Sequence, residues 1–203
     1  MTVPTAPQLP PPDQAWLVVV DHQRIFADPG SDWAAPRFAA TIEPVRALAE
    51  HYAGRVVLTR WLPARDRSGS WQEYFEAWPF ADLPDDDPLF DLVESAADIW
   101  AEGLSVATGT GATLDQRTFG KFGADLLAIT GPNPHLVVVG VSTDCCVIST
   151  VLAAADAGAH VTVVADGCAG SSDENHQKAL DIMGLYAPQV QVLLDLRRPG
   201  KAI

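Results

Sequence analysis

A three-layer α/β/α fold around a mostly parallel sheet is predicted for this 203-residue chain by three observations. Short apolar runs alternate with segments of helical spacing along its length. The runs are apolar without interruption, as in strands buried on both faces, and do not alternate with polar residues. Lastly, Leu136 to Gly167 reads as strand, tight turn, helix and strand, with two cysteines at the turn. An open α/β sheet places its chemistry at such turns.

The elements follow in order. Ala15-Trp-Leu-Val-Val-Val20 is the first strand, closed by Asp21. Ala34 to Tyr52 has helical spacing, with Pro36 near its start and Gly54 beyond its end. Arg55 to Thr59 is the second strand. Arg60 to Asp87, rich in Trp, Pro and Asp, is a long connection without evident secondary structure, a length typical of loops that cover a site. A helix is expected near Pro88 to Ala97, a short edge segment around Ala112 to Leu114, and a helix over Phe122 to Ile129. Leu136 to Gly140 is the third strand. Thr143 reads as an N-cap and Asp144 as the first residue of a helix running through Val151 and Leu152 to Ala157, stopped by Gly158. Val161 to Ala165 is the fourth strand, Glu174 to Tyr186 a helix, and Val190 to Leu194 the last strand.

The length suits one domain with a sizeable core, and 48% hydrophobic residues without a long apolar run exclude a membrane-spanning chain. Met1 to Pro12 is rich in Pro and polar residues, so residues 1–14 are expected to form a flexible arm, either a passive tail or a strap around a second subunit. Three cysteines, two of them adjacent, make a poor disulfide framework and point to a reducing compartment, the cytoplasm. A formal charge of −13 argues against nucleic acid and anionic membranes as partners. No Gly-rich phosphate loop or paired-cysteine zinc spacing is present.

Chemistry concentrates at two strand ends. Counting from Thr143, Cys145 and Cys146 fall in the first helical turn, about 100° apart around the axis, so one can face a cleft while the other packs. A thiol there feels the positive end of the helix dipole, which favours thiolate, and the free amides could hold an oxyanion. Asp21 ends another strand, and right-handed crossovers bring it to the same sheet edge, where a carboxylate can serve a thiol as general base. Of the three lysines, Lys121, Lys178 and Lys201, only Lys121 lies at a strand-to-helix turn.

These residues also carry a resemblance. Asp21-His-Gln23-Arg-Ile-Phe26 resembles the DxQxxF signature of the isochorismatase-like cysteine hydrolases, and Gly140-Val-Ser-Thr-Asp144-Cys-Cys146-Val147 resembles their GVxTDxCV nucleophile motif. The resemblance covers roughly Ala15 to Leu194 and makes residues 15–203 one domain of that family. It implies a Rossmann-like sheet, an Asp-Lys-Cys triad, hydrolysis of an amide or related C–N bond of a small molecule, and a homo-oligomer, dimer or tetramer. By position, Asp21 is the acid and base, Cys146 the nucleophile and Cys145 its packed neighbour. The resemblance further implies a cis peptide at Val141–Ser142, with the amides of Ser142 and Cys146 as oxyanion donors.

The third member departs from the pattern. Family sequences resemble K-x-x-[FY]-[SG]-x-[FW] here, and Gln116-Arg-Thr-Phe119-Gly120-Lys121-Phe122 places Gln116 where lysine is expected. Either Lys121 reaches in from the next turn, or Gln116 is a neutral substitute, or activity is altered or lost; Arg117 is a further cation. Relatives that hydrolyse nicotinamide carry an Asp-x-His pair and another His after the second strand to bind a metal. Thr59-Arg-Trp-Leu-Pro63-Ala-Arg-Asp66 has no histidine, so no catalytic metal and no cofactor are expected.

Other residues take blander readings. Cys168 is a small hydrophobe, Asp166 caps a turn at Gly167, and Asp85-Asp86-Asp87 is a solvated turn. His22 faces outward at least as readily as into a pocket, and His51, His135, His160 and His176 lie on the surface. The rings of Phe26, Trp33, Trp61, Trp71, Tyr74 and Trp78 wall a pocket or anchor an interface, and Phe26, Trp61, Trp78, Gln116, Val141 and Ser142 are the substrate-contacting candidates. The main expectation is a cysteine hydrolase. The alternatives are an isochorismate-type vinyl ether hydrolase, which works without the cysteine, and a catalytically silent oligomeric binding protein, which Gln116 keeps open.

Overall fold

The apolar runs become strands of a single sheet. In the computed structural model, which describes residues 8–109 and 111–196, these are β1 (Trp16–Val20), β2 (Val56–Trp61), β3 (Leu114–Gln116), β4 (His135–Val141), β5 (His160–Ala169) and β6 (Val190–Leu193). Their order is β3-β2-β1-β4-β5-β6, and every neighbouring pair is parallel. Parallel neighbours need crossovers, here supplied by α1 (Arg24–Ala27), α2 (Phe38–His51), α3 (Trp71–Ala77), α4 (Glu94–Ala101), α5 (Ala124–Thr130), α6 (Ile148–Asp156) and α7 (Asp173–Gly184). Strand order runs one way from β1 and the other way from β4. Right-handed crossovers therefore place the two sets of helices on opposite faces, giving the three layers. The switch between β1 and β4 is where such a sheet opens a crevice at its carboxyl edge.

Two residues fix how closely β1 and β4 approach that edge. Gly140 has φ +116°, and a Cβ there would lie 2.1 Å from the Val20 carbonyl oxygen, so no side chain fits. Asp21, just past β1, has φ +51°, a left-handed conformation that costs a non-glycine residue about 1–3 kcal/mol and collects at functional sites.

The apolar residues form two clusters. One is the sheet core, in which Leu17, Val18, Val57, Val138, Val163 and Val192 pack with α2 and α6. The other lies against Val141 and Ala169 at the carboxyl ends of β4 and β5 and is built from Phe26, Phe38, Trp61, Phe75 and Phe90, with Trp33 and Tyr74 packed on it.

Several expected boundaries move. The first long helix begins at Phe38, not Ala34, because Pro36 lies before it; a short helix, α1, comes earlier still. The stretch from Arg60 to Asp87 is not structureless: β2 extends to Trp61, and α3 and a 3₁₀ turn at Pro79–Ala81 follow. The helix expected over Pro88 to Ala97 divides into a 3₁₀ turn at Pro88–Phe90 and α4. The edge segment is β3, two residues later than expected. Asp166 and Gly167 sit inside β5, so no turn is capped there; Asp166 Oδ2 instead accepts the Leu196 amide at 3.1 Å. Of the expected arm, residues 1–7 lie outside the described residues. Pro10 is buried and its carbonyl accepts a 2.8 Å bond from the Tyr52 hydroxyl, so this part is fastened to the core.

Candidate active site

Thr59 holds Asp21 in its unusual conformation. The Asp21 amide donates to Thr59 Oγ1 (3.1 Å), and that hydroxyl donates back to Asp21 Oδ1 (2.7 Å). Asp21 Oδ2 lies 2.9 Å from Lys121 Nζ, and both side chains are fully buried. Two residues on, Gln23 binds the end of β2 through Trp61 N (2.8 Å) and Trp61 O (3.0 Å), and reaches Phe90 O (2.8 Å). Gln23 thereby ties three connections together at the crevice, an internal fastening whose three hydrogen bonds are all to backbone.

Lys121 is placed by its own backbone. Its amide donates to Thr150 Oγ1 (2.9 Å), which donates to the Cys146 carbonyl (2.7 Å), so α6 positions the lysine and the cysteine jointly. Nζ also donates to Thr118 O at 3.0 Å. Gln116 turns elsewhere: its amide donates to Asp125 at 2.9 Å and takes no part in the cavity wall. Arg117 pairs with Asp85, which also pairs with Arg65; Asp85 is therefore an ionic tie between loops and not a bare solvated turn, and the two guanidinium groups push its carboxyl down to about 2.

The nucleophile motif does not open as an ordinary helix. Thr143–Val147 is a wide π-type turn that precedes α6, with Ser142 at its cap and no side-chain capping bond. Such turns recur at functional sites. Ser142 O accepts the amides of Cys145 (3.0 Å) and Val147 (3.1 Å), and the Cys146 amide between them enters neither bond. Thr143 is no N-cap; its hydroxyl meets His176 Nδ1 at 2.8 Å, leaving His176 half-buried. The Val141–Ser142 peptide is cis.

A cavity of about 340 Å³ lies at this edge, with Cys145, Cys146 and Ser142 on one side and Phe26, Trp33, Trp61, Tyr74, Trp78 and Phe119 around the rest. Trp71 packs outside the wall on Tyr74 (5.4 Å) and Phe119 (5.5 Å). Of the candidates, Asp21 and Lys121 form the buried pair, while Phe26, Trp61, Trp78, Ser142 and Cys146 line the cavity. Val141 lies beneath it, fully buried.

The Cys146 thiol is not drawn down as the helix dipole suggests. A hydrogen bond shared with Cys145, burial, and the Asp21 carboxylate together push the Cys146 thiol well up, against the pull of Lys121. The same shared bond draws Cys145 down. Cys168 is buried and pushed up to about 12, an inert thiol. His22 is buried away from the cavity, with Nε2 3.2 Å from Thr41 Oγ1 and its ring 4.8 Å from Phe38; burial lowers it to about 4. His135 is half-buried beside Thr162.

Among the described residues, no group of three or more His, Cys, Asp or Glu could hold a metal ion. The segment after β2 offers only Asp66 as a ligand side chain, so the residues present do not fit a metal centre. No helix among them is long and apolar enough to cross a membrane.

The Isochorismatase domain model matches residues 15–193. No curated protein is similar enough to count as a match. Among solved structures, a cysteine hydrolase from Pseudomonas syringae pv. phaseolicola 1448A superposes with a TM-score of 0.71 at 17% identity, covering 95% of this chain and 94% of its own. A pyrazinamidase of Pyrococcus horikoshii in complex with zinc gives 0.63 at 24% identity, covering 90% and 99%. A nicotinamidase/pyrazinamidase from Bacillus subtilis gives 0.68 at 17% identity, covering 89% and 100%. At these identities the likeness is one of fold.

Proposed function

The chain belongs to the isochorismatase family and is a hydrolase, and from that premise we propose that it cleaves a C–N bond of a small amide, carbamoyl compound or lactam through a thioester on Cys146. The observation that carries this reading is the placement of Cys146 on the cavity wall while the Lys121–Asp21 pair, 2.9 Å apart, stands buried in its electrostatic neighbourhood.

The protonated resting thiol sets the order of events. As Cys146 Sγ attacks the carbonyl carbon, its proton passes to Asp21, and the amides of Ser142 and Cys146 hold the oxyanion. Asp21 then gives that proton to the leaving amine, the C–N bond breaks and the thioester remains. Water, deprotonated by Asp21, attacks the thioester; the acid leaves and the proton returns to sulfur. Lys121, 2.9 Å from Asp21 Oδ2, holds the carboxylate in place between these transfers.

Two alternatives lose support. An isochorismate-type substrate is a dianion, and no cationic side chain lines the cavity among the described residues. The silent binding protein rested on Gln116, yet it is Lys121 that stands beside Asp21. Ammonia release from a panel of small primary amides tests the proposal. Cys146→Ala is expected to lower turnover at least about a thousandfold with an unchanged circular dichroism spectrum. Turnover retained in that variant would remove the covalent route.

A further inference from the structure

The cavity wall combines crossed rings with net negative charge. Trp33 stands at 70° to Trp61 (centroids 5.1 Å apart) and at 62° to Trp78 (5.9 Å), and Tyr74 at 63° to Phe119 (5.5 Å). These rings surround the cavity on several sides, and a cage of rings is the arrangement that receives an organic cation. The charged side chains on the wall are Asp32, which is exposed, and Asp144; no Lys, Arg or His joins them among the described residues. Asp144 accepts from two neutral donors, Ser171 N (2.8 Å) and Ser171 Oγ (2.6 Å). Behind the wall, Lys121 and Asp21 cancel. Arg37, in the segment following the wall residue Ala34, is paired with Asp173 at 2.5 Å.

A flat neutral ring would gain stacking from such a wall but nothing from its carboxylates. A carboxylate substrate would meet repulsion on entry with no cation to offset it. A compact organic cation gains from both rings and charge. We propose that the cavity binds the cationic end of its substrate, so that the bond cleaved at Cys146 belongs to a small amide bearing a quaternary or alkylated ammonium group. The identity of the reacting bond rests on the amide-hydrolase reading; the charge preference of the cavity does not. At about 340 Å³ the cavity accommodates a trimethylammonium head with a short acyl arm.

Tryptophan fluorescence on Cys146→Ala, or on Cys146→Ser should the alanine variant unfold, tests this with three amides of related shape. These are trimethylammonio-acetamide, its neutral carbon isostere 3,3-dimethylbutanamide, and the anion succinamate. The cation is expected to bind at least about tenfold tighter than the isostere, with no saturable binding of succinamate. Asp32→Asn in the same background narrows the cation's advantage while leaving the isostere's Kd in place. Equal affinity for cation and isostere, or tighter binding of the anion, overturns the proposal. Ammonia release by the unaltered protein separates the two readings. Preferential cation binding without release from any of the three amides supports the cavity proposal and removes the amide-hydrolase reading. Equal Kd for the cation and the neutral isostere, with ammonia released from both, removes the cavity proposal and keeps the other.

Discussion

The sheet core is built of Val, Leu and Ala from strands and crossover helices, whereas the cluster above its carboxyl edge is built of rings from the connections. Both are apolar, but they constrain the site differently. The sheet core fixes backbone: β1 and β4 approach so closely that Gly140 admits no Cβ, and Asp21 and the Thr143–Val147 turn are pinned at their ends. The ring cluster fixes shape, since Trp33 alone touches Phe26, Trp61, Tyr74, Trp78 and Phe80. In the proposed reaction the reactive groups thus come from the frame and recognition from the cap. A fold shared at 17% identity over 95% of the chain shows how widely the sequence can change while the architecture stays.

The largest effect should come from breaking the frame at its buried charge. Lys121→Met leaves Asp21 unpaired in the interior, and a lost partner of this kind costs about 3–5 kcal/mol. Turnover should also fall by about a hundredfold or more, since the proton carrier loses the partner that positions it. Gln116→Ala, by contrast, removes a bond to Asp125 at the surface and should leave turnover within about threefold. Parallel urea unfolding and ammonia-release measurements on the two variants check this; equal losses in both would return Gln116 to the site.

A second effect belongs to the frame's interior near the cap. Buried His22 is held near 4 against an ordinary 6.5, so the unfolded chain takes up the proton first. Stability is therefore complete above about 6.5 and falls as pH drops from there toward 4, by about 3 kcal/mol at most. Urea midpoints at several pH values should show this slope, and His22→Asn should flatten it. A slope unchanged in that variant would place its origin elsewhere.

The smallest effect should be in the cap. Asp85 joins Arg65 and Arg117 and has its carboxyl held at about 2, below the usual 3.8. Its contribution is present above about 4 and is lost as pH falls toward 2. With 40% of the side chain exposed, screening keeps it below about 1 kcal/mol. Asp85→Asn should lower Tm slightly at neutral pH and by progressively less as pH falls through about 2. A large Tm loss would mean that the loops depend on this tie far more than exposed ion pairs allow.

The sequence disclosed frame and cap unequally for physical reasons. Unbroken apolar runs such as Leu136 to Val139 announce buried parallel strands by composition alone, and the two motifs sit at strand ends, so Asp21 and Cys146 were readable. Lys121 was readable only as chemistry, because its place depends on Thr150, 29 positions away, reaching its amide. The π-type turn was hidden, since residues 143–147 read as well for an ordinary helix start. So was the buried state of His22, which depends on Thr41 and Phe38 of α2. The rings were visible as a composition, but only tertiary packing decides that Trp33 lines the cavity while Trp71 lies outside it.

In the proposed reaction Cys146 carries the acyl group. Acid quenching of the protein during steady-state turnover of an amide that it hydrolyses, followed by mass spectrometry of the peptide spanning Cys145 and Cys146, tests this most directly. The expected result is a mass increase equal to the acyl group, located on Cys146, removed by neutral hydroxylamine and absent in Cys146→Ala. Steady turnover with no adduct at any quench time, and undiminished in Cys146→Ala, would contradict it.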